Sequence, residues 1–198
     1  MGRKRCSVAV NMIKGRTGSI EAQEWQPWLE AAGALVERFD HEQWDDPFAY
    51  NETARVSLLA AAAAQMDWLA LAEFKVRKKR QVDRRKRLNG RADFWMESRK
   101  RAWSFEFKQL TYGDVTERRL AASMAAAHKC AGALMRYGAE HMVAGVIVPL
   151  YYVDAAKKGD IREVLKAFKA ECHFAWRLAA PDGPETFLFF DTVGKPPR

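Results

Sequence analysis

The sequence predicts an α/β domain. Apolar residues recur at helical spacing in some segments, short aromatic or β-branched runs fill others, and the two kinds alternate along the chain. A chain of 198 residues with 48% hydrophobic content is long enough to bury one core and short for a second independent domain. The expected layout is an N-terminal tail and helical extension over residues 1–50, then the main domain over residues 51–198, folding as one unit. The sequence contains no internal repeat.

Taken in order, residues 1–19 carry Gly15, Gly18 and several basic side chains and read as a tail or a short strand over residues 7–13. Lys14-Gly15-Arg16-Thr17-Gly18-Ser19 lacks the spacing of a phosphate-binding loop. Over residues 20–39, Trp25, Trp28, Leu29, Ala32, Leu35, Val36 and Phe39 recur at helical spacing, and the tryptophan stripe reads as core rather than as a base-stacking surface. Asp45-Asp46-Pro47 marks a loop over residues 40–50. A second helix starts near Asn51 and runs through the alanine-rich residues 58–64 toward Trp68, where small side chains allow close approach to a sheet. Glu73-Phe74-Lys75-Val76 begins to alternate and reads as a first strand, although a continued helix fits these residues as well. Two further strands precede Asp114-Val115-Thr116-Glu117, whose D-x-x-E form is a capping box opening a helix that runs to Tyr137 and stops at Gly138. Residues 142–152 form a near-continuous apolar run, as expected of a strand buried on both faces. Asp160-Ile161-Arg162-Glu163 opens another helix in the same way, and strands over residues 174–178 and 187–191 finish the domain.

Composition narrows the class of function. No apolar run approaches the roughly 20 residues that cross a bilayer. Val8-Ala9-Val10 is too brief for a secretory signal, so a cytoplasmic protein with no membrane partner is expected. Cys6, Cys130 and Cys172 are odd in number with no CxxC pair, which fits reduced thiols. His128, Cys130, Cys172 and His173 lack the spacing of zinc ligands. The net charge is +8, and residues 75–91 hold ten of the basic side chains against Asp83 alone, so the rest of the chain sums to about −1. The basicity is therefore a local patch of Lys75, Arg77, Lys78, Lys79, Arg80, Arg84, Arg85, Lys86, Arg87 and Arg91. Such a patch neutralises phosphates and gains affinity by releasing counterions, without reading sequence, so nucleic acid is the expected partner. Lys157, Lys158 and residues 166–169 read as a solvated helix face that could extend a DNA track.

The chemistry concentrates just after the patch, in Gly90-Arg91-Ala92-Asp93-Phe94-Trp95-Met96 and Trp103-Ser104-Phe105-Glu106-Phe107-Lys108-Gln109. Strand alternation sends Glu106 and Lys108 to one face and Phe105 and Phe107 to the other. If residues 97–101 make the turn, a hairpin centred between Arg99 and Lys100 places Asp93 opposite Glu106. Two carboxylates across a strand pair repel unless positive charge stands between them, and a divalent metal with Lys108 would supply it. Gln109 points away from Lys108 in a regular strand.

Asp93, followed on the next strand by Glu106-Phe107-Lys108, resembles the PD-(D/E)XK, or restriction-endonuclease-like, nuclease superfamily. The resemblance covers residues 51–152, where the order helix, strand, strand, strand, helix, strand is that of the family core; Ala92 stands where the name-giving motif has proline. It implies a mixed central sheet flanked by helices and a Mg²⁺- or Mn²⁺-dependent nuclease acting on DNA, cutting internally. It implies Asp93 and Glu106 as metal ligands joined by the Phe107 carbonyl. Lys108 would orient or deprotonate the attacking water, or stabilise charge on the phosphoryl group. The family often adds an acid from the preceding helix, for which Glu52 is the candidate and Glu73 the second choice. Arg91 either binds a phosphate or pairs with the Asp93 carboxylate. The alternatives are a noncatalytic nucleic-acid-binding protein on the same fold, or a partner-dependent subunit docking through Trp25 and Trp28. Paired cuts from one site per chain would need a homodimer.

Overall fold

A computed structural model of the protein describes residues 7–41, 46–79, 87–110, 114–134, 140–151, 155–180 and 184–194. The elements run β1 (Ala9–Lys14), α1 (Ile20–His41), a 3₁₀ turn (Pro47–Ala49), α2 (Glu52–Gln65), β2 (Leu69–Lys79), β3 (Arg87–Glu97), β4 (Ala102–Gln109), α3 (Glu117–Ala133), β5 (His141–Leu150), α4 (Ala155–Glu171), β6 (Phe174–Ala179) and β7 (Glu185–Val193). All seven strands join one sheet in the order β1-β6-β7-β5-β4-β3-β2. Among the described residues its one parallel pairing is β4 with β5, and α3 supplies the crossover that a parallel pair requires. The α/β class and a mixed sheet flanked by helices are thus both observed. Among the described residues no helix is long and apolar enough to cross a membrane.

Helices α1 and α2 cover one face of the sheet. Trp25 and Trp28 are fully buried there, Trp25 with its ring centroid 5.1 Å from those of Trp103 and Phe190, and Trp28 stacked on Phe94. The core reading of the tryptophan stripe holds, and the docking surface suggested for the same two residues does not exist in this fold. The Trp28 indole N–H donates to the Leu59 carbonyl at 2.9 Å, which satisfies its polar atom inside the core and ties α1 to α2. Residues 1–50 contribute both β1, which pairs with β6, and α1 to this sheet and core. Glu24 of α1 accepts from the Trp103 indole at 2.7 Å and from Ser98 Oγ at 2.6 Å, so the first helix grips the β3–β4 hairpin at its turn.

Helices α3 and α4 cover the other face, over Val146, Val148 and Phe189. Two expected helix starts move. Thr116, not Asp114, caps α3 and accepts from the Arg119 amide at 3.3 Å, while Asp114 forms an ion pair with Arg119. Helix α4 begins at Ala155, so Asp160 lies within it; Gly159 has open space where a side chain would be and does not interrupt the run. Helix α3 also ends earlier than Tyr137, because Leu134 turns extended (φ −61, ψ 144) and bridges to Lys78 of β2. Gly138 lies outside the described residues.

Of the two readings left open for residues 71–77, the strand is realised, as part of β2, and one feature of it shapes the site. Ala70 and Ala72 pack on the α1–α2 face, whereas Phe74 and Val76 join Ala131, Leu134 and Met142 near the end of α3. Between them Glu73 has φ 53, a left-handed conformation that breaks the alternation and turns the outer half of the β2–β3 ribbon toward α3.

Candidate functional site

The β3–β4 hairpin adopts the register expected of it. Phe94 pairs with Phe105 and Glu97 with Ala102, which centres the turn between Arg99 and Lys100. Alternation then sends Phe94, Phe105 and Phe107 into the aromatic core, and Glu106 and Lys108, in register with Ala144 and Val146, to the α3 side. The paired ladder stops at Phe94 and Phe105, and beyond it the Asp93 side chain reaches across, its Oδ2 accepting from the Phe107 amide at 2.8 Å.

Glu106 is the most confined member of the group, at 2% exposure. Burial, and then the charge of Asp93, push its carboxyl up to about 7, opposed by the hydrogen bond and charge of Lys78. Lys78 Nζ stands 2.7 Å from Glu106 Oε1. The bend at Glu73 brings that lysine round, and Gly90 on the paired strand makes room for its stem: a Cβ at Gly90 would stand 3.0 Å from Lys78 Cδ. Lys108 Nζ donates to its neighbour's carbonyl, Phe107 O, at 2.7 Å. Asp93 and Glu106 are therefore not a ladder pair as expected, and the positive charge near Glu106 is supplied by two ammonium groups, Lys78 and Lys108.

Glu52 enters from the first turn of α2, whose N-terminus is set by Asn51 accepting from the Ala54 amide at 2.9 Å. Burial raises the Glu52 pKa first; Lys108 lowers it, and Asp93 and Glu73 raise it, so all four groups share one electrostatic field. One turn on, the buried Arg55 donates through Nε to the Phe48 carbonyl at 2.8 Å and through Nη1 to Gln109 Oε1 at 2.5 Å. Gln109 accordingly faces α2, away from the carboxylates, and Arg55 ties α2 to the end of β4. Burial lowers the Arg55 pKa to about 10.

The basic patch divides. Arg77 is exposed, while Lys78 turns inward to Glu106. Arg91 is 65% exposed and pairs with Glu73 at 3.0 Å, so its carboxylate partner is Glu73 rather than Asp93. Lys79 and Arg87 face each other in the β2–β3 register, with side chains outside the described residues. Arg80, Arg84, Arg85 and Lys86 lie outside the described residues. Elsewhere, His128 Nε2 lies 2.9 Å from Asp191 Oδ2, His173 Nδ1 lies 2.9 Å from Thr192 Oγ1, and burial pushes the Cys172 thiol up to about 12.

The donor set of Asp93, Glu106, Glu52 and the Phe107 carbonyl is made of hard oxygens, which suits Mg²⁺ or Mn²⁺. Among the described residues no three Asp, Glu, His or Cys side chains are already gathered as a metal-holding group. Three of the four expected donors are engaged within the chain: Asp93 by the Phe107 amide, Glu106 by Lys78, and the Phe107 carbonyl by Lys108. The set fits a divalent ion by chemistry, and loading would require these internal partners to yield. Sequence reasoning missed the inward turn of Lys78 and the part of Gly90. Gly90 pairs with Val76 and meets the Lys78 stem only diagonally, so no local pattern announced the contact.

Compared with protein-family models, with curated proteins and with solved structures, the chain matches none.

Proposed function

We propose that the protein is a metal-dependent nuclease of the restriction-endonuclease-like kind, hydrolysing DNA phosphodiester bonds internally. The observation that carries this reading is the Asp93 carboxylate bonded to the Phe107 amide, between Glu106 and Lys108 in sequence, with Glu52 of the preceding helix in the same electrostatic field. The element order α2-β2-β3-β4-α3-β5, with β4 and β5 parallel across α3, supports it. A bound Mg²⁺ or Mn²⁺ would polarise the phosphoryl oxygens and lower the pKa of an attacking water. Asp93, Glu106, Glu52 and the Phe107 carbonyl would hold the ion. Lys108, one residue beyond that carbonyl, would orient the water or neutralise charge developing on the phosphate. Arg77 and the other cations of residues 75–91, Lys78 excepted, would lie along the substrate backbone.

One observation favours a second reading. With Glu106 closed on Lys78 and Asp93 on the Phe107 amide, the group is satisfied without metal, as it would be in a noncatalytic nucleic-acid-binding protein. Incubating the protein with supercoiled plasmid and with single-stranded DNA in Mg²⁺, Mn²⁺ or EDTA separates the two. Metal-dependent nicking or linearisation is the expected result. Binding of DNA without cutting in any metal would hand the site to the second reading.

A further inference from the structure

The basic character of the chain reads in sequence as one local patch, yet the fold assembles a second. Arg162, Lys166 and Lys169 fall at i, i+4 and i+7 on α4 and so share one side of that helix. Arg177 of β6 faces them across a cavity of about 370 Å³, whose apolar floor is Ile13, Leu165 and Phe187. Lys14, at the end of β1, adds a fifth cation by donating to the Ala170 carbonyl at 3.4 Å. Two carboxylates form ion pairs with members of this set. Glu185, at 4% exposure, is held between Arg162 and Arg177, and the exposed Glu163 lies 3.5 Å from Lys166. Glu185 therefore serves as a buried post that fixes both guanidinium groups at the mouth of the groove. Arg177 bonds it through Nε at 2.8 Å, which leaves its two terminal nitrogens for another acceptor.

We infer that this groove, between α4 and the β1–β6–β7 edge of the sheet, binds the phosphate backbone of a nucleic-acid strand. Charge complementarity selects the occupant: a row of cations about 10 Å long on α4, at 1.5 Å per residue, runs beside the fixed arginine pair and can follow consecutive phosphates. Leu165 and Phe187 are buried beneath the groove, so its affinity rests on the cations rather than on base stacking. β6 lies three strands from β4, about 14 Å across the sheet, on the same face as the carboxylates. The groove is thus a second binding surface, separate from the Asp93–Glu106 cluster and from residues 75–91. It deepens the nucleic-acid reading and rests on that reading only for the identity of the polyanion.

The test is fluorescence anisotropy of a labelled oligonucleotide with the full chain in EDTA, over a series of salt concentrations. Wild type is compared with Lys166→Ala/Lys169→Ala, both on the solvent side of α4 where alanine keeps the helix, and with Arg177→Gln as an independent probe. Removing one phosphate-binding cation should lower the slope of log affinity against log salt by about one. The double variant is expected to lose close to two units of slope and at least about tenfold in affinity at low salt. Unchanged slope and affinity in both variants would overturn the groove while leaving binding through residues 75–91 intact. A reduced slope in a protein that cuts no DNA in any metal would uphold the groove and sink the nuclease. Absence of any oligonucleotide binding by the wild type would overturn both.

Discussion

Replacing Lys78 with methionine removes the ammonium 2.7 Å from Glu106 Oε1 and keeps a stem of similar shape beside Gly90. Burial, followed by the Asp93 charge, lifts the Glu106 carboxyl from 4.5 to about 7. Its folded pKa lies above the unfolded one, so its contribution to stability is fully present below about 4.5 and is lost as pH rises through about 7. Without the lysine the carboxyl would be lifted further, and ionising it would cost more. An opposite charge close by shifts a carboxyl by roughly 1–3 units; with Lys78 one-fifth exposed, the lower half of that range applies, about 1.4–2.7 kcal/mol at 1.36 per unit. Lys78→Met should therefore lose about that much stability near pH 9 and almost nothing near pH 5.5, where Glu106 carries a proton with or without the lysine. Urea unfolding at the two pH values reads the difference. In thermal melts the loss near pH 9 corresponds to roughly 3–10 °C for a chain of this size. An equal loss at both pH values, or none near pH 9, would refute the picture of Glu106 held ionised by Lys78.

Three further outcomes are expected. A Cβ at Gly145 would stand 2.6 Å from the Phe107 ring, so Gly145→Ala should overpack the core and cost about 1–3 kcal/mol in urea unfolding. Glu73→Val places a β-branched residue at φ 53 and should cost about 1–2 kcal/mol, whereas Glu73→Gly should keep the fold, as thermal melting followed by circular dichroism would report. The Cys172 thiol, raised to about 12 by burial and then by Asp191 and Glu171, should resist iodoacetamide near pH 8 in the folded protein and react after unfolding, read by mass spectrometry of its peptide.

What the sequence made legible was local. The β3–β4 register followed from alternation on either side of a five-residue polar gap, and the aromatic stripe of α1 declared its buried face through its spacing. Glu73 was not legible as a bend, since glutamate carries no preference for a left-handed backbone; the tertiary fit of the β2–β3 ribbon against α3 imposes it. The inward turn of Lys78 depends on that bend, which is why a residue read as a phosphate contact stands inside the carboxylate cluster. The pairing of β1 with β6 joins residues more than 160 positions apart and leaves no local trace. Residues 166–169 were legible as a possible DNA track, but the groove was not, since Lys14, α4 and Arg177 meet only when the sheet is assembled.

The central claim is that Asp93, Glu106 and Lys108 form a metal-dependent hydrolytic site, and it is met most directly by comparing cutting with binding in the same variants. Asp93→Asn, Glu106→Gln and Lys108→Ala would each be assayed for plasmid nicking in Mn²⁺ and for DNA binding in EDTA, beside wild type. The account predicts that each variant loses about 10²–10³-fold or more in cutting while its DNA affinity in EDTA stays close to that of wild type. Nicking that survives in all three folded variants would contradict it.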